Sequence, residues 1–392
     1  MFYFYPVPDK IAWKAVNPRF DYLCIMLILL DARPLQFAGP DNERTRLIIT
    51  VATSLAREQG VKWRWLVDQG WRPGSLPGMI EEEILVRRAL PGRAGWRLWY
   101  DWQIPRVAKK LRPDWLMLTG GIAAAALPVP QCIWMPVRSD PRTKKTVPLY
   151  AGRLGATLRR ADSFLCFSDR DRIGLAGRGR LSEDKFGLVR PMPSPSARPL
   201  STVERDAIKQ TYTQGREFFF ADASAADEEE IVYLLKAFSL FKKRQLSNLQ
   251  LVMAGEPSAA VKERLDTYKY RQDVHWHSAS VVRDGRLPAA AYAVLILFED
   301  DAAGSQLADA WQTGVPVLVV GGTRVAELAG DAALAAAADD PASLSAHLMM
   351  IYKDEVLRGR LIEKGVSRLP EFAPGPTITR LWTMLNSPNT KL

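Results

Sequence analysis

Twice along the chain, short apolar runs alternate with segments of helical period, and a proline-rich break separates the two series. A strand that is apolar along its whole length must be covered on both faces, which is the condition of a parallel sheet flanked by helices. In the first series the strand candidates are DYLCIMLILL, VKWRWLVD, DWLMLTG, PQCIWMPV and DSFLCFSD, with ERTRLIITVATSLAREQ and PLYAGRLGATLRRA as helix candidates between them. The second restarts with EFFFADA, EEEIVYLLKAFSLFKKRQ, NLQLVMAGE, DVHWHS, AVLILFE, SQLADAWQTG and VPVLVVGG, and ends in long helices. The break, RPMPSPSARPL, places four prolines in eleven positions, which suits neither a helix nor a central strand. The pattern predicts an α/β chain of two doubly wound, Rossmann-like domains facing a cleft. An extension covers 1–20, an N-terminal domain 21–190, a linker 191–215 and a C-terminal domain 216–375.

At 392 residues, with 47% hydrophobic and 24% charged residues, the chain has enough apolar material for two full cores. Cys24, Cys132 and Cys166 are too few and too far apart for a disulfide framework or a zinc site, so a reducing, cytoplasmic setting is expected. The only histidines are His275, His277 and His347, so nothing in the first 274 residues can use histidine chemistry. His275 and His277 alternate on one strand face but lack a third metal ligand, and a structural role is expected. The apolar run Tyr22–Leu30 is nine residues long and bracketed by Asp21 and Asp31. It is too short for the roughly 20 residues of a spanning helix and lacks the basic head of a signal peptide. The aromatic cluster Phe2–Tyr5 reads as packing or a tail, with contact to a membrane interface as the alternative.

Charge divides the chain. Residues 1–200 hold 32 Lys and Arg against 18 Asp and Glu, whereas 201–392 hold 21 against 25. The basic half includes Lys109, Lys110, Lys144, Lys145, Arg159, Arg160, Arg170, Arg172, Arg178 and Arg180. These form a solvated basic face or a surface for anionic lipid, peripherally at the inner face of the plasma membrane. No reader motif accompanies the charge, so nucleic acid is not expected. Neither a Walker P-loop nor a G-x-G-x-x-G follows any strand candidate, which removes support for ATP hydrolysis and nicotinamide chemistry.

The stretch AVLILFEDDAAGSQLADAWQTGVPVLVVGGTRVAELAGDAA resembles the donor-binding core of the retaining glycosyltransferases of family 4, which have the GT-B fold. EEEIVYLLKAFSLFKK and NLQLVMAGE resemble the opening of that domain, and WYDWQIPRVAKKLRPD, ADSFLCFSDRDR and DKFGLVRP resemble the acceptor-side domain of bacterial members. The resemblance spans about 21–385 and implies a last helix, within 376–392, packed back on the first domain.

It also implies site residues. The family's E-x7-E pair falls on Asp301, which would orient donor hydroxyls and is the expected catalytic residue, and on Asp309, which would hold the ribose. The close-approach backbone after the first acid survives at Gly304. The family's Lys near the start of the second domain falls on about Glu229, whose carboxylate would repel a pyrophosphate, by several kcal/mol relative to a cation about 4 Å away at an effective dielectric near 20. Arg324 or Arg172 is the replacement cation. Ser168, Asp169 and Arg172 match a Ser-Glu-x-x-Lys pattern, and Glu327 matches a late carboxylate. The glycine-rich loop keeps Gly39 but continues with Pro40, Asp41 and Asn42, and the family's His-Asp falls on about Pro136 and Val137. Asp227–Glu230 reads as an acidic helix start.

Two functions are carried forward. One is retaining transfer of a sugar from a nucleotide sugar, such as a UDP- or GDP-sugar, to a surface-glycan or lipid-linked acceptor in polysaccharide biosynthesis, without cofactor or metal. The other is a catalytically inactive relative that binds a glycan, a nucleotide or a partner enzyme as a scaffold.

Overall fold

Each series closes into its own parallel sheet. The computed structural model describes residues 26–39, 42–72, 84–87, 90, 92–125, 127–135, 148–280, 285–298 and 302–386. The 1–20 extension, Asp301, Pro136, Val137, Lys144 and Lys145 lie outside these. The first sheet comprises β1 (Leu27–Asp31), β2 (Lys62–Asp68), β3 (Ile84–Arg87), β4 (Trp115–Leu118), β5 (Gln131–Trp134), β6 (Ser163–Cys166) and β7 (Phe186–Leu188), in the order β3-β2-β1-β4-β5-β6-β7. The second comprises β8 (Phe218–Asp222), β9 (Gln250–Ala254), β10 (Val274–His277), β11 (Ala293–Ile296), β12 (Val317–Val320) and β13 (Ala333–Ala336), in the order β10-β9-β8-β11-β12-β13. Strand order reverses between β1 and β4 and again between β8 and β11. Such switch points open crevices at the carboxyl ends of the strands, where ligands bind in doubly wound sheets.

The apolar runs are continuous because both faces of each sheet are buried. Phe218 and Phe220 enter one hydrophobic cluster while Phe219, between them, enters the cluster on the opposite face. Ile28 and Leu30 divide from Leu29 in the same way in the first sheet. This is the period of two expected of a strand, with helices supplying apolar partners on either side.

The helices that shape the cleft are α1 (Arg33–Ala38), α2 (Glu43–Gln59), α3 (Asp169–Gly179), α4 (Thr202–Thr213), α5 (Glu228–Gln245), α6 (Ala303–Thr313), α7 (Arg324–Ala329) and α8 (Pro374–Leu385). The span 191–215 is not a linker throughout. Ser201 and Glu204 form a capping box that starts α4, and Ile208 and Tyr212 of that helix pack on the second domain's core, so only about 190–200 joins the domains. The alanine-rich stretch 332–338 supplies β13, an edge strand that low β propensity conceals in the sequence. The strands β3 and β7 also lie outside the runs read as strands.

The last helix belongs to the first domain's core. Leu381 and Leu385 of α8 are buried among side chains of β1, β2 and α2, and the indole Nε1 of Trp115 donates to Leu385 O at 3.1 Å. A methyl group at Gly187 of β7 would collide with Met384 Sδ, so the helix lies directly on the strand. Truncating Leu381 to alanine therefore leaves a cavity at a junction between the chain's end and its beginning. The expected loss is about 2–5 kcal/mol of stability, read by urea denaturation.

Candidate functional site

The floor of the first domain's crevice is built around Asp31, the last residue of β1. Its side chain accepts from Trp99 Nε1 at 2.9 Å and from the Tyr100 hydroxyl at 2.7 Å, while its carbonyl accepts from Thr119 Oγ1 at 2.7 Å. Next along the chain, buried Arg33 donates from Nε to Asp68 Oδ2 at 3.2 Å and lies over the rings of Trp96 and Trp99 at 4.0 and 5.0 Å. At 1% exposure, Asp31 has its pKa pushed up to about 6 by burial, against the opposing pull of its hydrogen bonds and of Arg33. Sequence reading used Asp31 only as the flank of an apolar run. An acid that ends a buried strand, followed in the chain by a Trp-Tyr pair, was the available signal.

Across the cleft stands the first turn of α6. Its N-cap, Ala302, provides no side-chain cap. The amide of Ser305 instead donates to Glu43 Oε2 at 3.0 Å, across 262 positions of sequence. Glu43 opens α2 of the first domain and is 3% exposed. A Cβ at Gly304 would stand 2.6 Å from Pro191 Cγ and 3.3 Å from Glu43 Oε1, so the linker and Glu43 together press on this turn. One turn on, Asp309 accepts from both the amide and the hydroxyl of Ser194. Burial raises the pKa of Asp309, while the Ser194 bonds and the charge of Arg46 oppose the rise. Gln312 Nε2 donates to Ala197 O, and Gln306 Nε2 to Asp222 Oδ2 at the end of β8. The helix is thus stitched to the linker on one side and to the switch point on the other.

A second cross-domain contact mirrors the first. Glu327 of α7 accepts from the amides of Asp169 and Arg170, at 2.5 and 3.1 Å, at the N-terminus of α3 in the first domain. Ser168 caps the same helix through Asp171 N at 3.1 Å. Arg172 pairs with Asp169 and Glu183, which neutralise much of its charge. Arg324, 4% exposed at the start of α7, has its guanidinium 5.9 Å from the Phe167 ring.

The structure therefore gathers Gly304, Asp309, Glu327, Ser168 and Arg324 along the interdomain face, with Arg172 one turn into α3 and Gly39 at the end of α1. Gly39 ends α1 at φ 84, its amide bonded to Leu35 O. Glu229 lines a surface depression with Glu228, Tyr233, Lys236, Arg264 and Asp339. Asp227 and Glu230 form a reciprocal capping box at the start of α5, which accounts for that acidic run. His275 and His277 are half-buried on edge strand β10, with the Tyr212 ring edge-on to His277 at 4.9 Å. Desolvation lowers both pKa values from the ordinary histidine value. Among the described residues no group of three His, Cys, Asp or Glu could hold a metal ion, and no helix is long and apolar enough to cross a membrane.

Residues 204–368 match the sequence profile of the family described as glycosyl transferases group 1. The second domain is by that measure similar to group 1 glycosyltransferases. The whole chain has the GT-B fold. It superposes on a glycosyltransferase from Rickettsia africae with a TM-score of 0.68 at 14% identity, covering 93% of this chain and 100% of the other. For WaaG, a glycosyltransferase involved in lipopolysaccharide biosynthesis, the TM-score is 0.66 at 14% identity over 92% and 100%. For Anabaena HepE in complex with UDP-glucose it is 0.67 at 12% identity over 92% and 100%. No curated protein matches at the sequence level. The group 1 match takes in α6 and α7, and so every interdomain contact that the second domain makes through Glu327, Ser305 and Asp309.

The floor residue Asp31 generates a pH dependence. Between its ordinary value of 3.8 and about 6 the folded chain retains a proton that the unfolded chain has released, so stability falls as pH rises through that window. The loss is on the order of 3 kcal/mol and is complete above the folded value. Asn at position 31 can accept from Trp99 and donate to the Tyr100 oxygen. Urea denaturation of Asp31→Asn between pH 4 and 7 should therefore lack this component of the wild-type slope.

Proposed function

We propose that the protein is a retaining glycosyltransferase that moves a sugar from a nucleotide sugar to a surface-glycan or lipid-linked acceptor in the cleft between its domains. The observation that carries this reading is the position of α6. Its N-terminus faces the cleft beside the β8–β11 switch point, within the segment that matches the group 1 profile. Backbone amides and the helix dipole at such a point favour an anion, and a departing nucleoside diphosphate is one. On this reading Asp301, just ahead of α6, orients donor hydroxyls, Asp309 holds the ribose, and Gly304 permits close approach of the backbone. Arg324 stands at the start of the next helix as the cation for the diphosphate. Arg172 is the weaker candidate because Asp169 and Glu183 already balance it. These groups supply the charge compensation without a metal or cofactor. A uridine nucleotide is favoured by likeness to a protein solved with UDP-glucose, and a lipid-linked acceptor by likeness to one involved in lipopolysaccharide biosynthesis.

A second reading, an inactive relative that serves as a scaffold for a glycan, nucleotide or partner enzyme, is favoured by one observation. Both oxygens of Asp309 are engaged by Ser194, so the ribose contact requires the linker to yield. Calorimetric titration with UDP, GDP and their sugar conjugates separates the two. Micromolar binding that Arg324→Ala abolishes, followed by sugar release from the bound donor, supports the transferase. A folded protein that binds nucleotide without turnover, or binds none, supports the scaffold.

Peripheral attachment to an anionic membrane is a further element of the proposal. Exposed Trp102, with Arg106 5.0 Å from its ring, lies beside Leu98, Arg97, Lys109 and Lys110 in sequence. An exposed aromatic beside basic groups suits a negatively charged interface. At low salt the protein should co-sediment with vesicles containing phosphatidylglycerol and remain in solution with phosphatidylcholine alone, and equal partitioning rejects the attachment.

A further inference from the structure

The two cross-domain carboxylates have the same form. Each domain sends one glutamate to a helix N-terminus of the other: Glu43 of α2 to Ser305 N of α6, and Glu327 of α7 to Asp169 N and Arg170 N of α3. Both recipient helices have eleven residues, long enough for a useful dipole at the N-terminus. At α6 the N-cap residue Ala302 gives no side-chain cap, and Glu43 supplies the acceptor for Ser305 N. Ala303 and Ser305 are buried, and Pro191 covers Gly304, so Glu43 and the linker close off this turn. A carboxylate at a helix N-terminus makes the same kind of contact as a phosphate: anionic oxygen to backbone amide in the positive end of the dipole.

We infer that Glu43 and Glu327 are the two points of a latch that holds the cleft shut, with Glu43 occupying at α6 the seat of the donor diphosphate. The second half of this inference rests on the donor site proposed above. The latch is reversible because water can replace a carboxylate at these amides once the domains part, whereas the apolar contacts of α8 and the first domain persist when the cleft opens. The chain between the domains, about 190–200, is short and rich in proline, so opening pivots there without unfolding either sheet. Asp309 joins α6 to the pivot through Ser194 until the ribose takes over that carboxylate. A nucleoside diphosphate then enters by displacing Glu43, and Glu43 returns to the amide when the product leaves. The sequence motif that would have supplied a glycine-rich phosphate loop, at Gly39 and the residues after it, instead delivers this acid at its end.

The test uses the full chain and its Glu43→Ala, Glu327→Ala and doubly substituted forms, with Glu43→Gln and Glu327→Gln as shape-retaining partners should an alanine variant fail to fold. Amide hydrogen exchange and small-angle scattering are read without ligand. The double variant should show faster exchange at 303–306 and at 169–171 and a larger radius of gyration, with each single variant intermediate. Unchanged exchange and unchanged size in the double variant overturn the latch. UDP is then titrated by calorimetry. Glu43→Ala should bind at least about tenfold more tightly than wild type, since it removes both the competitor and part of the closing bias. Glu327→Ala should gain less, because it removes only the bias. Equal or weaker binding by Glu43→Ala overturns the assignment of Glu43 to the diphosphate seat. If UDP binds none of the proteins, the donor-site reading fails, and exchange and scattering still decide the latch.

Discussion

A helix that begins without its own cap leaves amides that must find acceptors, and in this protein α6 finds one on the other domain. The bond from Ser305 N to Glu43 crosses the cleft and ties the first turn of α6 to the start of α2. Its counterpart at Glu327 does the same for α3. Further polar contacts join α6 to the linker and to the end of β8. Asp309 lies on the linker side of α6 and binds Ser194, and Gln306 and Gln312 bind whatever the orientation of α6 brings within reach.

Charge in the cleft is arranged by this geometry rather than by composition. The first domain carries the excess of basic residues, yet what it presents to α6 is a carboxylate. The second domain is net acidic, yet it places Arg324 at the start of α7. Buried acids such as Asp31 and Asp309 have raised pKa values because desolvation outweighs their hydrogen bonds, which marks both as held for position at some electrostatic cost. Asp31 orders the Trp99 and Tyr100 floor, and Asp309 orders the linker.

Much of the architecture was legible from particular residues. Phe218–Phe220 are apolar in succession because successive side chains enter different cores, and the four prolines of RPMPSPSARPL exclude regular structure at the joint. The alanines of β13 were not legible as a strand, since alanine has no β preference and only the neighbouring β12 recruits them. Within the site, spacing within a resemblance placed Gly304, Asp309 and Glu327 in one region, but it could not say what each touches. Glu43 carried no signal at all: an acid in the first turn of a helix is ordinary, and its partner lies 262 positions away. Glu229 shows the reverse, a residue singled out by motif position that faces a separate surface depression.

By itself the sequence determined the fold class, the number of sheets and the place of the joint. Periodicity, proline and residue type act locally, and local rules suffice for those features. Only the tertiary structure decided which carboxylate meets which amide, because pairing across a cleft depends on the relative placement of two separately folded units. That placement is set by the packing of α8 against the first domain, by the length of the joint and by two helix termini in need of acceptors. None of these leaves a pattern within any single segment of the chain.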